Sequence, residues 1–216
     1  MTSLESELRP DELKALKACI QSLEECHHIA EIGTAAGGTL VELLKSLKAR
    51  PGPMNASVSV VDTFGYFQDQ YQIWCRNLGQ NGFSPGNIRI YQCDSQRAFE
   101  QAVGKKVSFS LVLVDAGHKL KDVIRDVRWL SLLEVNGVGA FHDYSGRFPG
   151  VKIAVDTYLK RNPEFERLGL TGSLLLVRKK SVTNGYGMPN WLIAWMTFRS
   201  LLMQWGSSLR KRIPCR

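Results

Sequence analysis

The run His28-Ile29-Ala30-Glu31-Ile32-Gly33-Thr34-Ala35-Ala36-Gly37-Gly38-Thr39-Leu40 constrains this chain more than any other stretch. A short apolar run passes an acid, bends at clustered glycines and continues as Leu40-Val41-Glu42-Leu43-Leu44. That pattern reads as strand, tight turn, then helix. Glycine suits a turn where the backbone bends sharply and approaches a ligand too closely for a Cβ. The free N–H groups at the helix start point into the same space.

Glycine spacing narrows the ligand. A dinucleotide loop wants G-x-G-x-x-G and a phosphate loop wants G-x-x-x-x-G-K-[ST]. Here the glycines are Gly33, Gly37 and Gly38 with no lysine after them. The pattern E-x-G-x-x-x-G instead resembles motif I of class I S-adenosylmethionine (SAM)-dependent methyltransferases. SAM carries a sulfonium and an ammonium rather than a pyrophosphate, so Glu31 would favour that cationic end by charge and hydrogen bonding.

The rest of the chain alternates apolar runs and helical spacings. A helix over 11–26 precedes the glycine loop, with Asp11 as its cap. Ser57–Asp62 is a β-branched strand ending in a carboxylate. Asp62 lies 24 positions past Gly38, near the roughly 20 expected of an acid that holds a ribose. Asn87–Cys93 is a third strand, followed by Asp94 and Ser95, each of which suits either the adenine or a helix cap. Val107–Val114 is apolar enough to be buried on both faces. Asp115, Gly117 and His118 follow it, and then a helical face of Leu120, Val123, Ile124, Val127 and Leu130. Asn136-Gly137 is expected to break that helix before a short strand, Val138–Phe141, which ends in His142-Asp143-Tyr144. A helix over 151–161 and two strands joined at Thr171-Gly172 complete the pattern. The expected fold is α/β: a Rossmann-like, doubly wound, mostly parallel seven-stranded sheet with a C-terminal antiparallel hairpin.

Glu31, Asp62, Asp94, Asp115, His118, His142 and Asp143 all fall at the C-terminal ends of these strands. Open α/β sheets bind ligands on that edge. Asp115 and Asp143 would converge on one hard cation such as magnesium, whereas His142 beside them favours transition metals. The plain alternatives are a helix cap for Asp115 and a loop carboxylate for Asp143. His118 suits a general base, since imidazole titrates near neutrality, or else a cap.

The stretches EIGTAAGGTL, VVDTF, VDAGHKLKDVIRDVRWLSLLEVNGVGAFHDY and PGVKIAVDTYL resemble the methyltransferase-24 family that includes the TylF-type macrolide sugar O-methyltransferases. The resemblance spans about residues 28–178. It implies the class I methyltransferase strand order, SAM, a divalent cation (Mg2+ or another) and transfer to a hydroxyl of a sugar, glycoconjugate or natural product. On the matching motifs it implies a cofactor site of Glu31, Gly33, Thr34, Gly37, Gly38, Asp62, Thr63, Asp94, Ser95 and Asp115. Catalysis falls to His118, Asp115 and Asp143, and metal ligation to Asp115, His142 and Asp143. Relatives often carry an acid where this chain has His142, which leaves metal-independent transfer open. The alternatives are a catalytically silent SAM-fold scaffold and an NAD-type oxidoreductase.

The chain has 216 residues, 44% hydrophobic and 22% charged, enough for one core. The expected division is a methyltransferase domain over 1–180, then a linker and a Trp-rich basic tail over 181–216. The acidic N-terminus lacks a signal-peptide form. Five scattered cysteines (Cys19, Cys26, Cys75, Cys93, Cys215) read as reduced thiols. Together they suggest a cytoplasmic protein, peripheral at the membrane if the tail docks there. No nucleic-acid partner is expected. Residues 190–216 combine tryptophans with Arg210-Lys211-Arg212 and are too short and interrupted to span a bilayer. They suit a membrane surface, a second subunit, or the chain's own domain.

Overall fold

The computed structural model describes residues 5–50, 56–182, 189 and 191–198. Most of the expected linker, the basic end of the tail from Arg199 to Arg216, Cys215 and the Pro51–Pro53 turn lie outside the described residues.

Seven strands form one sheet: β1 (His28–Ile32), β2 (Ser57–Val61), β3 (Ile88–Tyr91), β4 (Phe109–Val114), β5 (Leu133–Phe141), β6 (Phe165–Thr171) and β7 (Leu174–Lys179). Their spatial order is β3-β2-β1-β4-β5-β7-β6. The pairs among β3, β2, β1, β4 and β5 are parallel, and β7 runs antiparallel to both β5 and β6. β1 and β4 are buried at every position, as central parallel strands covered on both faces must be.

Helices cover both faces. On one side α1 (Pro10–Ser22), α2 (Gly38–Lys48) and α3 (Gln70–Gln80) bury Leu16, Ile20, Leu40, Leu43, Leu44, Trp74 and Leu78 against β1 and β2. On the other, α4 (Ser95–Gly104), α5 (Leu120–Asp126) and α6 (Pro149–Arg161) pack around Phe99, Phe109, Trp129, Phe141 and Tyr158. A short helix over 191–198, α7, adds Leu192 and Met196 to this second core. One face of the tail helix therefore belongs to the domain, and Trp191 and Phe198 stay outside, 62% and 59% exposed.

Among the boundaries that differ from expectation, α1 ends at Ser22 rather than at 26. α1 starts at Pro10, with Arg9 as N-cap rather than Asp11, because Pro10 supplies the fixed φ a helix start prefers. Asn136-Gly137 does not separate a helix from a strand but lies inside β5. Asn136 takes φ 68°, and the β4–β5 register slips between Phe109 and Leu111. A bulge absorbs the dipeptide without ending the strand.

The chain leaves β1 toward β2 and β3, then crosses back to place β4 on β1's other side. That reversal opens a crevice beyond the C-terminal ends of β1 and β4, where doubly wound sheets bind ligands.

Candidate active site

The crevice begins with the turn that the glycines shape. Gly33 has φ +82°, and a Cβ there would sit 2.2 Å from the Asp115 carbonyl oxygen. The ends of β1 and β4 can approach so closely only without a side chain. Gly37, at φ +87°, is the N-cap of α2. A Cβ there would press within 2.9 Å of the Trp74 ring. Gly37 therefore serves the turn and its packing and lines neither cavity described below.

A cavity of about 470 Å³ opens past these strand ends, lined among others by Gly33, Asp62, Thr63, Asp94, Ser95, Asp115 and His118. A second, of about 230 Å³, is lined by Glu31, Thr34, Gly38 and Thr39 and shares Gly33, Ala35, Asp115 and Glu7 with the first. Together they form one trough across the crevice. Ten of the residues expected from the sequence thus line it, and His142 and Asp143 stand beside it.

At the loop end, Asp62 ties the structure together. One of its oxygens accepts the Thr34 N–H at 2.9 Å, and the other accepts the Phe64 N–H at 2.6 Å. Buried Gln70 bridges the Ala35 carbonyl and the Asp62 carboxylate. Glu31 is 1% exposed, and its Oε2 has no hydrogen-bond partner among the described residues. Burial raises its pKa to about 8, against a hydrogen bond from Thr34 that favours the ionised form. A carboxyl group that lines a cavity and has an orphaned oxygen is a place for a donor or a cation.

At the far end, Asp94 caps α4, accepting the Arg97 N–H at 2.9 Å. Ser95 accepts the Trp129 indole N–H at 3.0 Å and bonds Asp126, whose pKa burial raises to about 7. The cap reading of Asp94 is thus realised while both residues still line the cavity.

At the middle, β4 and β5 deliver Asp115, His142 and Asp143. The N-cap of α5 is Lys119, so Asp115 is not a helix cap. Asp143 holds φ +57°, an uncommon conformation for a non-glycine residue that aspartate tolerates best. Its Oδ2 lies 2.8 Å from His118 Nε2, and the His118 ring rests against Phe148, centroids 4.3 Å apart. His142 Nδ1 lies 2.9 Å from Asp115 Oδ1, and its Nε2 faces Glu12 Oε2 at 3.4 Å. Burial opposes the protonated His142, but the Asp115 hydrogen bond and the charges of Asp115, Asp143 and Glu12 outweigh it and raise the pKa to about 9. Asp115, His142 and Asp143 offer ligand atoms within 4.8 Å of one another, enough to surround one cation.

Two acids that sequence reasoning missed complete the site. Glu12, from α1, is fully buried and accepts the Ser173 N–H and hydroxyl at 2.6 and 2.8 Å and the Arg9 N–H at 2.9 Å. Burial works against its charge, yet these donors hold its pKa below the usual value. Glu7 overhangs both cavities, and burial and Asp115 push its pKa up. Tyr66 lines the large cavity, 70% exposed. Tyr144 is buried, and its hydroxyl donates to Asp156 and accepts from Lys152 and Arg167.

Comparison with known proteins agrees with this architecture. A family model described as a methyltransferase domain matches residues 30–144. No curated protein sequence matches the chain. Among solved structures, the chain is similar to the Bacillus cereus O-methyltransferase in complex with SAH (TM-score 0.60, 16% identity, covering 80% of this chain and 83% of that one). It is similar to TomG from Streptomyces achromogenes, an O-methyltransferase of tomaymycin synthesis in complex with SAM (0.59, 14%, 81% and 82%). It is also similar to CalS11, a TDP-rhamnose 3'-O-methyltransferase of calicheamicin biosynthesis (0.58, 16%, 77% and 76%). At such identities the likeness establishes the fold; the family match, over more than half the chain, establishes kinship. The chain belongs to this methyltransferase-domain family and is a SAM-dependent methyltransferase.

Proposed function

We propose that the chain is an O-methyltransferase that passes the methyl group of SAM to a hydroxyl of a sugar or glycoconjugate. His118 acts as general base, and a divalent cation is held by Asp115, His142 and Asp143. The observation that carries this reading is the pairing of His118 Nε2 with Asp143 Oδ2 at 2.8 Å beside the cavity. The sugar class is supported by the likeness to CalS11, whose acceptor is TDP-rhamnose.

The residues present fit both absent groups. For SAM, Glu31 with its orphaned Oε2 would offer an acceptor to a cationic amine, Asp62 at the end of β2 would accept from the ribose, and Gly33 lines both cavities. For a cation, one imidazole nitrogen and two carboxylates within 4.8 Å suit a first-row transition metal better than magnesium. When bound, SAM supplies an electrophilic methyl group and the cation polarises the acceptor oxygen.

The protein's own part is orientation and proton handling. A carboxylate only accepts, so His118 Nε2 carries the proton it donates to Asp143. That fixes the tautomer and leaves Nδ1 as the basic lone pair. Nδ1 would take the acceptor's hydroxyl proton, and Asp143 would stabilise the imidazolium formed. Phe148 limits rotation of the ring. Holding acceptor and donor in line supplies much of the remaining acceleration.

One observation favours a second reading, in which no metal is needed. His142 already lies between Asp115 and Glu12, with a ring nitrogen toward each carboxylate. Its imidazole would then meet the charge of the acids itself. Methyl transfer from SAM to a panel of sugar nucleotides, run with chelator and with manganese or magnesium, separates the two. His118→Ala and Asp143→Asn should lose turnover while keeping SAM affinity by calorimetry. Loss of SAM binding in both variants refutes the division of roles.

A further inference from the structure

The charge of this chain is segregated along its length. All 20 Asp and Glu residues lie at or before Glu166, and nine of the 28 Lys and Arg residues follow it. The final fifty residues therefore carry +9, and the first 166 sum to −1. Within that basic segment stands α7, whose two sides are both apolar. Leu192 and Met196 are 3% and 1% exposed in the core. Trp191, Trp195 and Phe198, spaced i, i+4 and i+7 on one helical stripe, are 62%, 49% and 59% exposed. The Arg161 guanidinium lies over the Trp191 ring, 5.3 Å from its centroid. Among the described residues no helix is long and apolar enough to cross a membrane.

We propose that this aromatic stripe, with the basic sequence that follows it, docks on the surface of an anionic lipid bilayer. Tryptophan and phenylalanine on an exposed stripe suit the headgroup boundary, where an amphipathic ring meets both apolar chains and water. A short apolar stripe alone gives weak, reversible attachment, and stable attachment takes a second signal. Here the second signal is charge: Arg161 over the Trp191 ring, then Arg199, Arg210, Lys211, Arg212 and Arg216 in the sequence beyond the helix, a stretch that holds no acid. The same charge opposes a second copy of the chain as occupant, because two sequences carrying Arg199, Arg210, Lys211, Arg212 and Arg216 would be brought together. Single-stranded nucleic acid fits the charge but not the apolar continuation Leu201-Leu202-Met203. Arg161 ends α6, whose first turn at Gly150 abuts the His118 carbonyl. The docking helix therefore begins about 20 Å from the catalytic rim, one helix length of 13 residues.

The test uses the full chain and sedimentation with vesicles of phosphatidylcholine, with and without 30 mol% phosphatidylglycerol. Expected is co-sedimentation with the anionic vesicles at least tenfold above neutral ones, weakening as salt rises from 50 to 500 mM. Trp191→Ser with Phe198→Ser should lower vesicle binding at least tenfold and leave methyl transfer and thermal midpoint unchanged. Replacing Arg210, Lys211 and Arg212 by Ser should lower binding to anionic vesicles alone. Equal binding to neutral and anionic vesicles, or undiminished binding by the double variant, overturns the proposal. So does a wild-type dimer in solution that the double variant converts to monomer without vesicle binding by either, or tighter binding to a single-stranded oligonucleotide than to vesicles.

Discussion

Glu31→Gln isolates the electrostatics of the cofactor loop. In the ligand-free protein, burial lifts the Glu31 pKa from 4.5 to about 8, a difference of roughly 5 kcal/mol between its two protonation states. The sign follows from linkage. Below pH 4.5 the carboxyl is protonated in folded and unfolded chains alike and costs the fold nothing. Between 4.5 and 8 the unfolded chain ionises while the folded one stays protonated, so stability falls as pH rises. Above 8 the loss is complete. Glutamine cannot ionise, so the variant escapes the loss. Urea denaturation of both proteins without ligand should show Glu31→Gln gaining on the wild type from pH 5 to pH 8, by up to about 3.5 kcal/mol less what local relaxation recovers. Cofactor binding reverses the preference, because a sulfonium and an ammonium nearby favour the ionised carboxylate. At pH 7 the wild type should therefore release close to one proton on binding SAM, measured by calorimetry in two buffers of different ionisation enthalpy. Glu31→Gln should bind at least tenfold more weakly and lose that release. A stability gap that does not change with pH, or undiminished proton release by the variant, would refute the reasoning.

Three further outcomes are expected. Gly33→Ala places a Cβ 2.2 Å from the Asp115 carbonyl at φ +82°. It should cost at least ~2 kcal/mol in urea denaturation and weaken SAM binding more than tenfold. Glu12→Ala strips the Ser173 N–H, the Ser173 hydroxyl and the Arg9 N–H of their acceptor. At about 1 kcal/mol or more for each stranded donor it should lower stability by ~3 kcal/mol, and Glu12→Gln, which keeps one acceptor oxygen, by less. Trp129→Phe keeps a ring among Tyr91, Phe99 and Phe109 but removes the donor to Ser95. It should cost ~1 kcal/mol and weaken SAM binding a few-fold by calorimetry, since Ser95 loses its anchor.

What could be read in advance was whatever short-range pattern dictates. The strand-turn-helix of the glycine loop follows from Gly33 and Gly37, whose backbones adopt conformations few other residues tolerate. The placing of Asp62, Asp115 and Asp143 on one rim follows from the alternation of strands and helices, because parallel strands all end on the same edge. Asp94 was ambiguous because the same carboxylate suits a cap and a ligand, and the Arg97 N–H three residues on takes it first. Asn136-Gly137 misled because a helix-breaking dipeptide and a strand bulge have the same local signature, and the pairing of β4 with β5 decides between them. Glu12 was unreadable: in sequence it is one acid in the first turn of an amphipathic helix, stabilised there by the helix dipole. Its partner Ser173 lies 161 residues away. No periodicity carries a contact across that distance.

With α1 in place the electrostatic character of the site is set. Glu7, Glu31, Asp62, Asp115 and His118 line one trough, and Asp143, His142 and Glu12 are joined to it through their contacts with His118, Asp115 and one another. Burial first, and neighbouring acids after it, raise the pKa values of Glu7 and Glu31, while Glu12, held by three donors, is lowered. A pyrophosphate placed here would add negative charge beside carboxylates that already repel one another. A sulfonium with an ammonium would let Glu31 ionise and offset the repulsion, so binding would be strongest for a cationic cofactor and would weaken as its positive charge is removed. The acids that the glycine loop and α1 bring together thus select the cofactor by sign of charge before any hydrogen bond reads its shape.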